Sequence, residues 1–310
     1  MMTPELLEKV TLLEEKFAAS GQDLKSYLDG LLYADYLTYW DYIHLDTLLS
    51  LQTPRTSFPD EEIFIMYHQI TELYFKLCLH ELKQLVNGDE HPISFILERT
   101  RRINQYFKAL ISSFDIMVQG MDKDQFLKFR MSLLPASGFQ SAQYRTIEIY
   151  ATDFRNLVHH EQRDSFRGTD NIDELFGQIY WKRGATELAS GKKTLTLLQF
   201  EEKYGEHLLN TAIKLKGNNL FGLALRAIDR EGENEELIKE LRQLDLNVNV
   251  NWPLMHYKSA VRYLERSPAD IAATGGTNWQ KYLPPRFQLR IFYPSLWSEE
   301  ELANWGKNRE

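Results

Sequence analysis

Asp60 to Gly88 reads DEEIFIMYHQITELYFKLCLHELKQLVNG. Acidic residues crowd its start, where the positive end of a helix dipole favours them, and Asn87-Gly88 supplies a helix stop. Asp60 or Pro59 therefore opens one long helix that runs to about Val86. Helical period continues in both directions from it. Toward the N-terminus, Thr3-Pro4 is a helix start, and Leu6, Val10, Leu13 and Phe17 follow at spacings of four, three and four. That stripe is coiled-coil-like and suits packing on a neighbouring subunit. Toward the C-terminus, a helix is expected from about Ser141 to His160, with Ile147, Tyr150, Phe154 and Leu157 on one face. Leu195, Leu198, Tyr204, Leu208, Ala212 and Leu215 mark another, and Leu237, Leu241 and Leu244 a shorter one. Trp252 to Arg266 is the last long helix, started by Pro253 and closed before Pro268. The only β-like run, Phe287 to Tyr293, sits between prolines. No repeat, low-complexity tract or composition shift marks a boundary. The expected fold is all-α, a single-domain helical bundle over residues 1–310.

A chain of 310 residues can bury a sizeable core. Its formal net charge of -8, with no Lys/Arg-rich run, argues against nucleic acid or an anionic membrane surface as the main partner. The one cysteine, Cys78, allows no intrachain disulfide and fits a reducing, cytoplasmic setting. Met1 to Phe17 is amphipathic and Glu-rich, unlike a signal peptide. No stretch approaches the roughly 20 apolar residues that span a bilayer. Aromatic content is 13%, with 16 Tyr beside 17 Phe, which suggests pockets and subunit contacts that need hydrogen bonds as well as apolar surface.

Several chemistries are excluded by spacing. The eight histidines are His44, His68, His80, His91, His159, His160, His207 and His256, and none has Glu three positions before it. The Glu-x-x-His pair of di-iron bundles is therefore missing, as is His-Glu-x-x-His. One cysteine permits no covalent haem motif, zinc ribbon or iron–sulfur set. There is no Walker loop and no Gly-x-Gly-x-x-Gly. What remains is a metal site with few protein ligands, a haem b with one axial side chain, or no cofactor.

Three further segments matter together. The first runs Tyr39-Trp-Asp-Tyr-Ile-His-Leu-Asp-Thr-Leu-Leu-Ser-Leu-Gln52, followed by Phe64-Ile-Met-Tyr-His-Gln69 and Glu72-Leu-Tyr-Phe-Lys76. The second is Phe126-Leu-Lys-Phe-Arg130 leading into Ala136-Ser-Gly-Phe-Gln-Ser-Ala-Gln-Tyr-Arg145. The third is Trp252-Pro-Leu-Met-His256 followed by Thr274-Gly-Gly-Thr277. In this order they resemble the tryptophan 2,3-dioxygenase family from about residue 30 to 285. The resemblance implies haem b, one per subunit, in a mostly helical homotetramer. It also implies insertion of O2 across the indole C2–C3 bond of L-tryptophan to give N-formylkynurenine.

The resemblance gives each site residue a role beside the one its type alone suggests. Phe64 and His68, four apart on a helix, would line the distal pocket, with neutral His68 accepting the indole N–H. Taken alone, His68 reads as a core histidine bonded to a carbonyl. Arg130, one turn after Phe126, would fork onto the substrate carboxylate; alone it reads as a surface salt bridge. Some members carry Tyr where this chain has Phe126, which leaves carboxylate binding more dependent on Arg130. Ser137 would sit near substrate and O2, or else simply cap a helix. Thr274, in a Gly-rich loop, would contact the substrate's ammonium and carboxylate within a segment over residues 267–310 that forms a substrate-closing loop and C-terminal tail, or else belong to a linker. His256 would be the proximal iron ligand, with small Ala260 beside it; spacing alone makes it a buried or interface histidine. Tyr39, Tyr42 and Ile43 would reach a neighbouring subunit's pocket as part of an N-terminal arm over residues 1–43; alone they read as a core aromatic cluster. Two other readings stand beside this one: a related haem enzyme acting on another aromatic amino acid, and a haem-free scaffold that oligomerises through the Leu6 to Phe17 stripe.

Overall fold

The computed structural model describes residues 2–34, 37–88, 90–133, 139–185, 192–265 and 283–307. It forms two compact units, Met1–Thr53 and Pro54–Glu310. The first unit holds α1 (Pro4–Ala19), α2 (Leu24–Tyr33), α3 (Tyr39–Tyr42) and α4 (Leu45–Leu48). Thr3 caps α1, its hydroxyl accepting the Leu6 N–H at 3.3 Å with Pro4 in the first turn, as the sequence predicts. Leu24 alone is buried among the described residues of this unit, and Leu6 and Leu13 of the expected stripe lie open.

The second unit begins with α5 (Asp60–Val86), α6 (Ile93–Ser113), α7 (Asp115–Val118), α8 (Lys123–Phe129) and α9 (Ala142–Ala151). It continues with α10 (Ile172–Gly177), α11 (Tyr180–Gly184), α12 (Leu195–Phe200), α13 (Glu206–Lys214), α14 (Leu220–Glu231), α15 (Glu235–Leu246) and α16 (Trp252–Leu264), then α17 (Pro285–Gln288) and α18 (Glu299–Ala303). Among the described residues no strand forms; one isolated antiparallel bridge joins Val158 and Ile179. Helix α5 has the predicted bounds, and Asn87 follows its last turn. It buries Tyr67, Phe75, Cys78, Leu82 and Leu85 and packs on α6, which buries Ile96, Ile103, Phe107 and Leu110. Helix α6 is not among the expected elements, although its apolar residues recur at helical spacing. Helix α15 packs on α6 and buries Leu237, Leu241 and Leu244.

Four expectations are corrected, each by a local physical cause. The helix from Ser141 stops at Ala151, because Thr152 is extended and its hydroxyl donates to the Phe292 carbonyl. Asp153 then caps a 3₁₀ turn, so Phe154 and Leu157 are buried from Phe154–Leu157 rather than from a continued helix. In the 195–215 segment a π turn, Glu201–Gly205, sits between α12 and α13. The extra residue rotates the apolar face, so Leu197 and Phe200 are buried before it while Leu195 and Leu198 are exposed. After it, Leu208, Ala212 and Leu215 are buried as expected.

Pro253 does not start a new helix. Helix α15 runs through a second π turn, Asn247–Asn251, straight into α16, with helical dihedrals at Leu246, Asn251 and Trp252. Proline has no N–H to return and its ring crowds the carbonyl four residues back; a widened turn just ahead of it relieves both problems.

The β-like run is no strand. Its first residues close α17, Leu289 then turns left-handed (φ 47), and the rest is irregular chain with Ile291, Phe292 and Tyr293 buried. In place of a ladder, Asp245 of α15 takes its donors. Its carboxylate accepts the N–H groups of Phe292 (2.9 Å) and Tyr293 (3.1 Å), the Trp297 indole N–H (3.0 Å) and the Asn249 amide (2.8 Å). Burial pushes Asp245 up to about 6 against the pull of these donors. Removing it strands buried N–H groups. Asp245→Ala should lower unfolding stability by about 2–3 kcal/mol in urea titration, with Asp245→Asn in between. A wild-type midpoint for Asp245→Ala would show that those donors find other partners.

Candidate functional site

Phe64 and His68 stand one turn apart on α5 with ring centroids 4.0 Å apart. His68 Nδ1 lies 2.7 Å from the Phe64 carbonyl oxygen. A carbonyl can only accept, so Nδ1 carries the proton and Nε2 keeps its lone pair. The carbonyl bond matches the plainer reading of His68, but the ring is not a core ring: its surface is exposed. Protein nonetheless crowds it enough that burial lowers its pKa below the usual 6.5. The ring is therefore neutral at pH 7, with Nε2 as its acceptor nitrogen.

His256 repeats this arrangement on α16. Its Nδ1 lies 3.2 Å from the Trp252 carbonyl oxygen, so that nitrogen donates and Nε2 is the free lone pair. Burial lowers its pKa to about 4, with His68, Arg290 and Arg145 adding to the fall. Neutral imidazole with its second nitrogen tied to a carbonyl is the form that binds iron. The ring is half-buried between Phe114 (4.7 Å) and Trp252 (4.8 Å), an apolar setting suited to a porphyrin ligand. The residues present thus fit a haem with one axial side chain.

The two imidazoles share one neighbourhood. Tyr67 lies 6.1 Å from His68 and 5.6 Å from Phe114, which in turn meets His256. Tyr67 and Phe114 were not anticipated. Tyr67 neighbours His68 in a helical run, and Phe114 ends the unanticipated α6.

Phe126 joins from α8, its ring 6.4 Å from Phe64 and 4.5 Å from Tyr263. Tyr263 is two turns beyond His256, and its hydroxyl donates to the Met117 carbonyl at 2.7 Å. Helix α16 therefore carries the candidate iron ligand at one end and braces Phe126 at the other. Arg130 begins the 3₁₀ turn Arg130–Leu133, directly after Phe129, whose ring is 5.9 Å from Phe64. Arg130 is only 5% exposed, so it does not lie at the surface as its residue type alone suggests, and burial lowers its pKa. Tyr39 and Tyr42 are 71% and 74% exposed in the first unit and Ile43 is exposed too, which corrects the core-cluster reading. Ser137 and Thr274 lie outside the described residues.

The end of the long Ser137–Arg145 string has a structural task. Arg145 and the unanticipated Arg290 share the buried Glu148, at 3.0 and 2.6 Å, and the Tyr180 hydroxyl donates to it at 2.6 Å. Tyr144 donates to the Val248 carbonyl at 2.9 Å, inside the π turn that leads to α16. This network ties α9 and α11 to the base of the helix that carries His256.

Comparison with known proteins identifies the family. The family model described as Tryptophan 2,3-dioxygenase matches residues 30–211, which include Phe64, His68, Phe126 and Arg130. A tryptophan 2,3-dioxygenase of Ruegeria pomeroyi is 40% identical over 274 residues, covering 86% of this chain and 92% of that protein. One from Bacillus thuringiensis subsp. konkukian is 36% identical over 279 residues, covering 84% and 91%. One from Polaromonas naphthalenivorans is 35% identical over 273 residues, covering 84% and 90%. An all-α fold, a specific string of residues along the chain and relatives matched over nearly their full length converge: this chain belongs to the tryptophan 2,3-dioxygenase family.

Proposed function

We propose that this protein cleaves the indole C2–C3 bond of L-tryptophan with O2, both oxygen atoms entering the product N-formyl-L-kynurenine, and that His256 holds a haem b for the purpose. The observation that carries the reading is the pair of imidazoles in one neighbourhood, each with Nδ1 committed to a helix carbonyl and Nε2 free. One suits a metal and the other suits an indole N–H. When bound, haem b supplies the activation of O2.

The protein's own residues bind and orient. His68 accepts the indole N–H, and Phe64 and Phe126 wall the ring. Arg130 receives the substrate carboxylate, whose charge offsets the desolvation of a buried guanidinium. Ser137 and Thr274 complete the substrate's surroundings, Thr274 from a loop that closes over it. A neighbouring subunit supplies Tyr39, Tyr42 and Ile43 in a homotetramer, a role that their exposure and that of Leu6 and Leu13 supports. Among the described residues no helix is long and apolar enough to cross a membrane, and the lone, buried Cys78 suits a cytoplasmic enzyme.

The test is to reduce the haem-supplemented protein anaerobically, add L-tryptophan and labelled O2, and look for N-formylkynurenine carrying both labelled atoms. Haem-loaded protein that yields none of it would refute the activity. Protein that takes up no haem and shows no Soret band would favour the scaffold alternative.

A further inference from the structure

Arg55 lies 75 positions before Arg130 in the chain, yet the fold brings them to the same turn. Its Nη1 donates to the carbonyl of Ser132, two residues past Arg130, at 2.7 Å. The backbone from which Arg55 reaches is itself fixed. Glu61, in the first turn of α5, is buried, and its carboxylate accepts the Arg55 N–H at 3.0 Å and the Thr56 N–H at 2.7 Å. Burial works to raise the Glu61 pKa, but the Thr56 hydroxyl and these two N–H groups more than offset it and hold it low. Glu61 is thus an ionised anchor one turn from Phe64. A second brace runs beside the first: the Asp60 N–H donates to Gln125 Oε1 at 3.2 Å, and Asp60 accepts the Asp122 N–H at 2.5 Å. These two bonds fasten the start of α5 to α8, but they end before Arg130. Beyond α8 the chain makes a single 3₁₀ turn, a weakly held element. The Arg55 guanidinium reaches that turn from the α5 side.

We infer that Arg55 is a positioning residue for substrate binding: by holding the Arg130–Leu133 turn against the start of α5, it sets the Arg130 guanidinium relative to the Phe64 and His68 wall. The inference rests on the proposed role of Arg130 as partner of the substrate carboxylate. Arg55 itself is exposed, so its side chain can be truncated without opening a core cavity. A shift of about 1 Å in a positioned group costs up to about 100-fold, and the exposed Arg55 bond controls part of that.

Arg55→Ala, Arg55→Lys, Arg130→Ala and the double variant should be compared as holoenzymes. Equilibrium binding of L-tryptophan and of tryptamine, which lacks the carboxylate, is measured without O2, and KM and kcat with it. Arg55→Ala should raise the L-tryptophan Kd and KM about tenfold, leave kcat within about twofold and leave tryptamine binding unchanged. Arg55→Lys should recover part of the loss. The double variant should bind L-tryptophan no worse than Arg130→Ala, because Arg55 acts only through Arg130. Wild-type tryptophan binding by Arg55→Ala while Arg130→Ala is impaired would overturn the inference and leave the role of Arg130 standing. Equal weakening toward tryptamine would overturn it as well, exposing a general disturbance of the pocket. Arg130→Ala with wild-type binding would instead remove the carboxylate reading, and this inference with it.

Discussion

His256→Ala should leave the purified, haem-supplemented protein with less than about a tenth of the wild-type haem, measured as bound haem per chain. The ring offers a single lone pair, on Nε2, and its Nδ1–H is already given to the Trp252 carbonyl. Truncation to Ala removes that lone pair and opens a space between Phe114 and Trp252, at a stability cost of about 2–3 kcal/mol for a half-buried ring. Loss of haem through simple unfolding is separated by adding imidazole, which fits the vacated space and should restore a Soret band in a folded variant. His68→Ala is the contrasting case. It should retain haem, because the proposed task of His68 is directed at the substrate, and it should weaken L-tryptophan binding. If His256→Ala kept a wild-type spectrum and His68→Ala lost its haem, the two roles would be reversed.

Much of the fold was legible because its signals are local. The acids at Asp60 and the Asn87-Gly88 stop fix α5 to the residue, and Thr3-Pro4 fixes the start of α1. The failures come from tertiary bonds that local period cannot carry. Thr152 leaves the helix for a carbonyl 140 positions away. Asp245 collects donors from a segment whose composition suggests a strand. Two π turns absorb a residue each, one rephasing the Leu195–Leu215 stripe and the other carrying the helix past Pro253.

For the site, spacing puts Phe64 beside His68 and leads from Phe126 to Arg130. It cannot choose His256 among eight histidines; the resemblance does that. The structure adds the Nδ1 bond, which the identity of residue 256 does not reveal. Arg55 and Arg290 gave no sequence signal and Glu61 only that of a helix-start acid, because each is an ordinary charged residue whose partner is distant or on a neighbouring turn.

Arg130→Ala should weaken L-tryptophan binding by about 3–5 kcal/mol, the scale of breaking a buried charged pair, which is a rise of two to three orders of magnitude or more in Kd. Two features set that size. Arg130 is 5% exposed and its pKa is lowered by burial, so its charge is held at a solvation cost that a bound carboxylate would offset. Phe126, on the preceding turn, has no hydroxyl to share the carboxylate, so its ring gives no partial rescue. Arg130→Lys keeps the charge but loses the planar fork, and should recover only part of the affinity. The sharpest control is again tryptamine: its affinity should be the same for wild type and Arg130→Ala. An indole held by His68 and Phe64 has no use for a guanidinium unless a carboxylate is attached to it. Unchanged KM and turnover with L-tryptophan would clear Arg130 of the role. Equal losses for both ligands would mean that Arg130 shapes the pocket and does not meet the carboxylate.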